Sequence, residues 1–392
     1  MKIKYLSIVL IIYSLFTEHM FSILSFNIRI SHLLAIFFVL FNFNNYILKN
    51  FRFNFKIIAA YILIIQAILF NDIIVGTKLL YTFNSFFFFL VSLFLYLFFF
   101  TIFLKDENNL GKFFIFTFLS LMIYKNGQFL FFGEESFAKV EAIYGSRFAG
   151  PFLFFTLGLS YYLLLKKMTI SFILLNIIYF LISLYFLSYS HLFLIITTLF
   201  LYLAIITLNI RTSYFNFLFF FFLFIFSLDI IFFKAFFDDL IIFLFLKRAD
   251  AFVFIPNIIE NFPFGIGSRG LIYDYLDSAI ELTNYLGLES FNAAKILVSS
   301  ENYTTTHSMV MHMLLKNGFI SVIPFLFLFV YMASTIYKIV SYEEINNGVK
   351  FLSIYIFVFF FYALLFNGIG SFLTECPLYF GFIMSIKRNY NL

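Results

Sequence analysis

Residues 248–270 read RADAFVFIPNIIENFPFGIGSRG, and residues 304–318 read TTTHSMVMHMLLKNG. Together they bound the longest polar interruption in a chain that is otherwise nearly continuous hydrocarbon. The runs on either side repeatedly exceed the roughly 18 apolar residues that mark a transmembrane helix. The interruption is therefore a loop between membrane segments. It also holds most of the groups able to do chemistry: Arg248, Arg269, a glycine-rich turn and His307. The expected fold class is all-α, a polytopic membrane protein of about twelve transmembrane helices. One large outer loop carries short interfacial helices.

Composition supports that reading and narrows it. Charged residues make up 11% of the chain, against roughly 25% in ordinary soluble domains. The 70 Phe, with frequent Ile, Asn and Tyr, look like an AT-rich coding bias and carry little functional meaning. With no Trp in the sequence, an interfacial aromatic belt has to be built from Tyr. Cys376 is the single cysteine, which excludes an intramolecular disulfide and a cysteine-based metal cluster. Lys2 and Lys4 precede an apolar run as in a signal peptide. Glu18 and His19 interrupt it and no small-residue cleavage site follows, so it reads as a retained first helix.

Segments of spanning length fall at 5–24, 31–48, 55–71, 79–104, 110–125, 149–166, 168–187, 190–209, 214–233, 309–337, 349–367 and 371–387. Asn42, Asn44 and Asn45 dilute the second. Cytoplasmic loops retain positive charge. Placing the N-terminus inside puts Lys49, Arg52, Lys56, Lys105, Lys112, Lys166, Lys167, Arg211, Lys338, Lys350, Lys387 and Arg388 on the inner side. The short outer connections then hold only Arg29 and Lys78. Both termini are expected in the cytoplasm. Residues 1–233 form about nine N-terminal helices with an outer loop at 125–148. Residues 234–308 form the large outer loop, and residues 309–392 about three C-terminal helices. The large loop carries Lys234, Lys247, Arg248, Arg269 and Lys295 against nine carboxylates, so it is net acidic. Nucleic acid is not an expected partner, and any anion must be held by particular arginines.

His307 follows three threonines, any of which can cap a helix. Gly318 lies eleven residues on, roughly 16 Å along the helix and on nearly the same face. His307 then sits near the outer interface, while Gly318 allows close helix approach deeper in. An imidazole at a water boundary suits proton abstraction from a sugar hydroxyl. For an isolated His, a capping role is the commoner explanation. Arg147 precedes Gly150 and Pro151 at the start of another segment, where a guanidinium can bind phosphate bidentately. Snorkelling to lipid head groups is the bland account of it. Arg248 opens a stretch in which Phe252, Ile255, Ile259 and Phe262 recur at helical spacing, suited to the membrane surface. The turn after Pro263 offers the backbone amides of Gly265 and Gly267 to an anion, although such a turn is more often a chain reversal. Ser190-His191 marks an outer helix start and Glu375 the last outer connection. His307 and His312 face different sides, so no zinc pair is expected.

In order and spacing, these residues resemble the O-antigen polymerase and O-antigen ligase superfamily of bacterial inner-membrane glycosyltransferases. The resemblance rests on Arg147-Phe-Ala-Gly150 at a helix start, on Arg248, and on Pro263-Phe-Gly265-Ile-Gly267. His307-Ser308 followed by Gly318 completes it, over roughly residues 140 to 385. The chain departs from the pattern at Ser190-His191, where the family often has Ser-Arg, and at Ser321 after Gly318. The resemblance implies a metal-independent, cofactor-free transfer from an undecaprenyl-pyrophosphate-linked oligosaccharide on the outer, periplasmic face. Arg147 and Arg248 would bind the pyrophosphate and His307 would act as base. Arg269, Gly265, Gly267, Ser308, His191 and Glu375 complete the expected substrate-binding set. Membrane lipid and a polysaccharide chain-length regulator are the other implied partners.

The leading expectation is a polymerase that extends a lipid-linked repeat unit. A ligase that moves finished glycan to lipid A-core is the nearest alternative. A flippase would call for charges at mid-membrane and paired halves, whereas the charges here cluster at the outer interface. For a scaffolding membrane protein, the interfacial His and Arg would be incidental.

Overall fold

The computed structural model describes residues 21–23, 26–28, 30–42, 48–105, 108–119, 152–185, 189–207, 259–260, 262–268, 309–366 and 369–392. They begin with an antiparallel hairpin, β1 (Phe21–Ile23) and β2 (Phe26–Ile28), in which Phe21 faces Ile28. Helices follow: α1 (Ile30–Asn42), α2 (Phe51–Val75), α3 (Leu79–Lys105), α4 (Asn109–Leu119) and α5 (Phe152–Leu165). Then come α6 (Thr169–Tyr185), α7 (Tyr189–Thr207), α8 (Met309–Ser341), α9 (Asn347–Phe366) and α10 (Ile369–Asn389). Among the described residues four stretches, Leu48–Val75, Leu79–Leu104, His312–Ser341 and Asn347–Leu364, are long and apolar enough to cross a membrane.

Ten of the expected segments, all except 5–24 and 214–233, each meet one of these helices. Segment 214–233 lies outside the described residues, as does most of the first. Its last residues are a correction, because Phe21–Ile23 is a strand. Of the second segment, α1 covers 31–42 within its 13 residues, and 43–47 lie outside the described residues. The large loop lies outside the described residues except for 259–260 and 262–268. Of the stretch after Arg248, Ile259 is helical and Phe262 has already left the helix.

Hydrophobic force does not hold helices together in lipid, so close backbone approach and polar contacts must contribute. Both are present. The most extensive helix pairing is α3 on α10. A side chain at Gly381 would stand 2.7 Å from the Phe100 amide nitrogen, so the absence of one lets the two backbones meet. Phe372 of α10 then gathers rings from three other helices. Its centroid lies 5.6 Å from Tyr61 of α2, 5.7 Å from Phe89 of α3 and 4.9 Å from Phe325 of α8. Beside this cluster Tyr61 Oη lies 3.0 Å from Ser92 Oγ, and Ser92 donates to the Phe372 carbonyl at 3.4 Å. With the serine proton committed there, Tyr61 is the donor of the first bond. Tyr61→Phe is expected to destabilise the protein by about 0.6 kcal/mol, at most about 1.7, as read by denaturant unfolding in detergent.

The helix ends also group as the charge pattern requires. At one face Lys387 donates to Tyr331 Oη at 2.8 Å, and Arg388 donates to Asn50 Oδ1 at 3.1 Å. The starts of α2 and the ends of α8 and α10 therefore lie together. At the other face the end of α2 meets the start of α8 and residues 262–268. Asn50, Lys387 and Arg388 thus share one end of the helices, and Asp72 shares the other with residues 262–268.

Candidate functional site: a glycine turn set into a broken helix

Helix α8 is broken at Gly318, whose φ of 72° and ψ of 172° are not helical. A break inside an apolar helix leaves carbonyls and amides without partners, and in hydrocarbon each needs one. The turn Pro263-Phe-Gly265-Ile-Gly267 supplies them. The Ile266 amide donates to the Leu315 carbonyl at 2.8 Å, and the Gly267 amide donates to the Lys316 carbonyl at 3.0 Å. In return the Phe319 amide donates to the Pro263 carbonyl at 3.1 Å. Ser321 Oγ closes the break from below, 2.8 Å from the Gly318 carbonyl and 3.3 Å from that of Met313. The turn thus takes the place of a missing stretch of helix.

Only glycine fits at the contact. A Cβ on Gly318 would lie 2.5 Å from the Phe264 carbonyl carbon, and one on Gly265 would lie 2.6 Å from the Gly318 nitrogen. Both residues also have positive φ, which side chains disfavour. Two expectations are corrected by this geometry. The Gly265 amide donates to Phe262 at 2.8 Å and that of Gly267 to Lys316, so both are committed to carbonyls and neither is free for an anion. Gly318 does admit a close neighbour, but the neighbour is the Pro263-Phe264 backbone rather than another helix.

A third element locks the turn. Ser268 donates to Asp72 twice, from its amide to Oδ1 at 2.7 Å and from its hydroxyl to Oδ2 at 2.6 Å. Asp72 sits in the last turn of α2, which Gly76 closes in a left-handed conformation. The Thr77 amide reaches back to the Asp72 carbonyl at 2.9 Å, a Schellman-type end. Asp72 is 2% exposed and Lys316 8%, so water screens neither charge. Asp72 is also within electrostatic reach of the Lys316 ammonium, which in turn acts on His312. The Asn71 side chain, next in sequence to Asp72, is fully buried with both its polar atoms unpartnered, and His312 Nδ1 is unpartnered as well. The end of the α2–α8 seam therefore gathers one carboxylate, one ammonium and one imidazole within electrostatic reach.

Of the expected site residues, Arg147, Arg248, Arg269, His307 and Ser308 lie outside the described residues. His191 is the third residue of α7, which packs mainly on α9 and α6 rather than on the turn. Glu375 is not in a connection, as expected, but in the second turn of α10. There its side chain is accessible, within reach of Tyr355 and Tyr379. The structure brings Gly265, Gly267 and Gly318 together and leaves His191 and Glu375 apart from them.

Sequence reasoning missed Asp72, Asn71 and Lys316. A signal for them existed. An acid and a base in otherwise apolar helices rarely go unpaired, but the expected segment 55–71 stopped one residue short of Asp72. The helix runs on to Val75, which puts that carboxylate inside it. In comparisons with known proteins, the chain matches no family model, no curated protein and no solved structure.

Proposed function

We propose that the protein is a membrane glycan polymerase of the bacterial inner membrane, working on the periplasmic face. Its donor is a glycan on undecaprenyl pyrophosphate, and its acceptor is the next lipid-linked repeat unit. The observation that supports this reading is the seating of the turn 262–268 in the break of α8. His307 precedes the first residue of α8 by two positions, and Arg269 follows Ser268 directly. The large loop is therefore fastened, at its middle and at its end, to one short length of helix. That is the scaffold a site needs when its base and its phosphate ligands come from distant parts of a loop.

In the proposed step the acceptor hydroxyl oxygen attacks the anomeric carbon while the bond to the pyrophosphate oxygen breaks. His307 takes the hydroxyl proton. Arg147 and Arg248 neutralise the charge that develops on the departing pyrophosphate. Arg147→Ala, Arg248→Ala and His307→Ala are each expected to abolish long glycan chains while the protein still inserts. The check is the ladder of chain lengths in cells that make the polymer, with membrane fractions probed for the variant. Single repeats on lipid A-core are the expected residue of a lost polymerase. Long lipid-linked polymer accumulating instead would assign the ligase step, and an unchanged ladder in all three variants would remove these residues from the chemistry.

A further inference from the structure

A second feature runs along the outer face of α2, and its far end from the Asp72 cluster is the one that carries charge. Between α2 and α8 runs a lipid-facing groove with a volume of about 720 Å³. Ala60 and Ala67 on α2 and Pro324 inside α8 line it together with Leu63 and Ile323. Leu63 and Ile323 are 53% and 65% exposed, so no other helix among the described residues fills it. From Phe55 to Phe70 it extends about 22 Å along α2, enough to lay a fatty-acyl chain lengthwise.

One end of the groove is cationic. Lys56 lines it and places its ammonium over the Tyr331 ring, 5.1 Å from the centroid. Lys387 approaches the same ring at 4.9 Å and bonds its hydroxyl. Tyr331 in turn stacks on Phe327 of the groove wall, with centroids 6.1 Å apart and planes at 4°. Lys338, seven residues beyond Tyr331 on α8, acts on the phenol as well. Two ammonium groups thus converge on one ring at the mouth of an apolar trough. Two like charges drawn to one ring are accommodated best when an anion sits between them.

We infer that this groove binds an anionic diacyl phospholipid, with an acyl chain along Leu63 and Ile323 and the phosphate between Lys56 and Lys387. The site does not depend on the proposed glycan transfer. It is tested by native mass spectrometry of the protein released from nanodiscs holding equal parts phosphatidylglycerol and phosphatidylcholine. The protein should retain phosphatidylglycerol several-fold over phosphatidylcholine. Lys56→Gln and Lys387→Gln should each reduce that ratio by roughly five-fold. Ile323→Trp, which fills the trough without touching the charges, should lower retention of both lipids. Equal retention of the two lipids by the unaltered protein overturns the inference, whatever the variants do. So does a preference that survives both lysine changes. An Ile323→Cys protein that cross-links to a second copy in the membrane would assign the groove to that copy and also overturn it.

Discussion

Gly318→Ala is expected to destabilise the protein by about 3 kcal/mol or more, enough to deplete the folded form in membranes. Two effects add. A φ of 72° with a ψ of 172° belongs to backbone that essentially only glycine visits, costing about 1–3 kcal/mol for another residue. The added methyl would also stand 2.5 Å from the Phe264 carbonyl carbon, and it cannot be accommodated without lifting the turn off the helix. Lifting the turn breaks its bonds to Leu315, Lys316 and Phe319 together. Gly76→Ala is the control. Its φ is also positive, at 74°, but nothing lies within 4 Å of a Cβ there. That change should cost only about 1–2 kcal/mol. Denaturant unfolding of both variants in detergent separates backbone strain from steric displacement. Equal losses would mean that the turn does not press on α8.

Asp72→Ala is the second large effect, expected at about 3–5 kcal/mol. The carboxylate accepts two bonds from Ser268 and lies within electrostatic reach of the Lys316 ammonium. Its removal takes away a negative charge that favours that buried cation and leaves two donors without an acceptor. The diagnostic experiment is the double variant Asp72→Ala with Lys316→Met. Replacing both members of a buried ion pair by apolar groups is far less costly than removing one. The double variant should therefore recover the larger part of the loss in thermal unfolding. The shortfall that remains belongs to Ser268. If the double variant unfolds as readily as the single one, Lys316 is not the group that Asp72 compensates.

Both variants also bear on the proposed function, because the turn carries the loop on which Arg248 and Arg269 lie. A milder change, Ser268→Ala, removes one bond to Asp72 and keeps the backbone bond. Its effect on glycan chain length, set beside its effect on stability, distinguishes a positioning role for the turn from a purely structural one.

Much of the architecture was legible because hydropathy is a local property. The placement of α2, α3, α8 and α9 follows from runs of apolar side chains that have no other stable environment. The grouping of Lys56 with Lys387, and of Lys78 with the large loop, follows from where Lys and Arg fall between those runs. Boundaries were less legible. Asp72 reads as a place for a helix to stop when its partner is not known, and α2 continues past it because Ser268 and Lys316 satisfy the charge. Similarly Phe21–Ile23 carries enough apolar residues for a helix, yet it pairs as a strand with Phe26–Ile28.

By itself, then, the sequence determined the helical membrane class, the position of most segments and which ends share a side. Each of these depends only on side chains near one another in the chain. The tertiary structure decided the use of the glycines. Gly265, Gly267 and Gly318 announce unusual backbone in the sequence but not its purpose, and an anion-binding turn was as consistent with them as a splice in a helix. The choice depends on where the carbonyls of Leu315 and Lys316 lie relative to amides some fifty residues earlier in the chain. Those carbonyls lie within hydrogen-bond distance, and in an apolar surrounding a main-chain partner at that distance takes the bond.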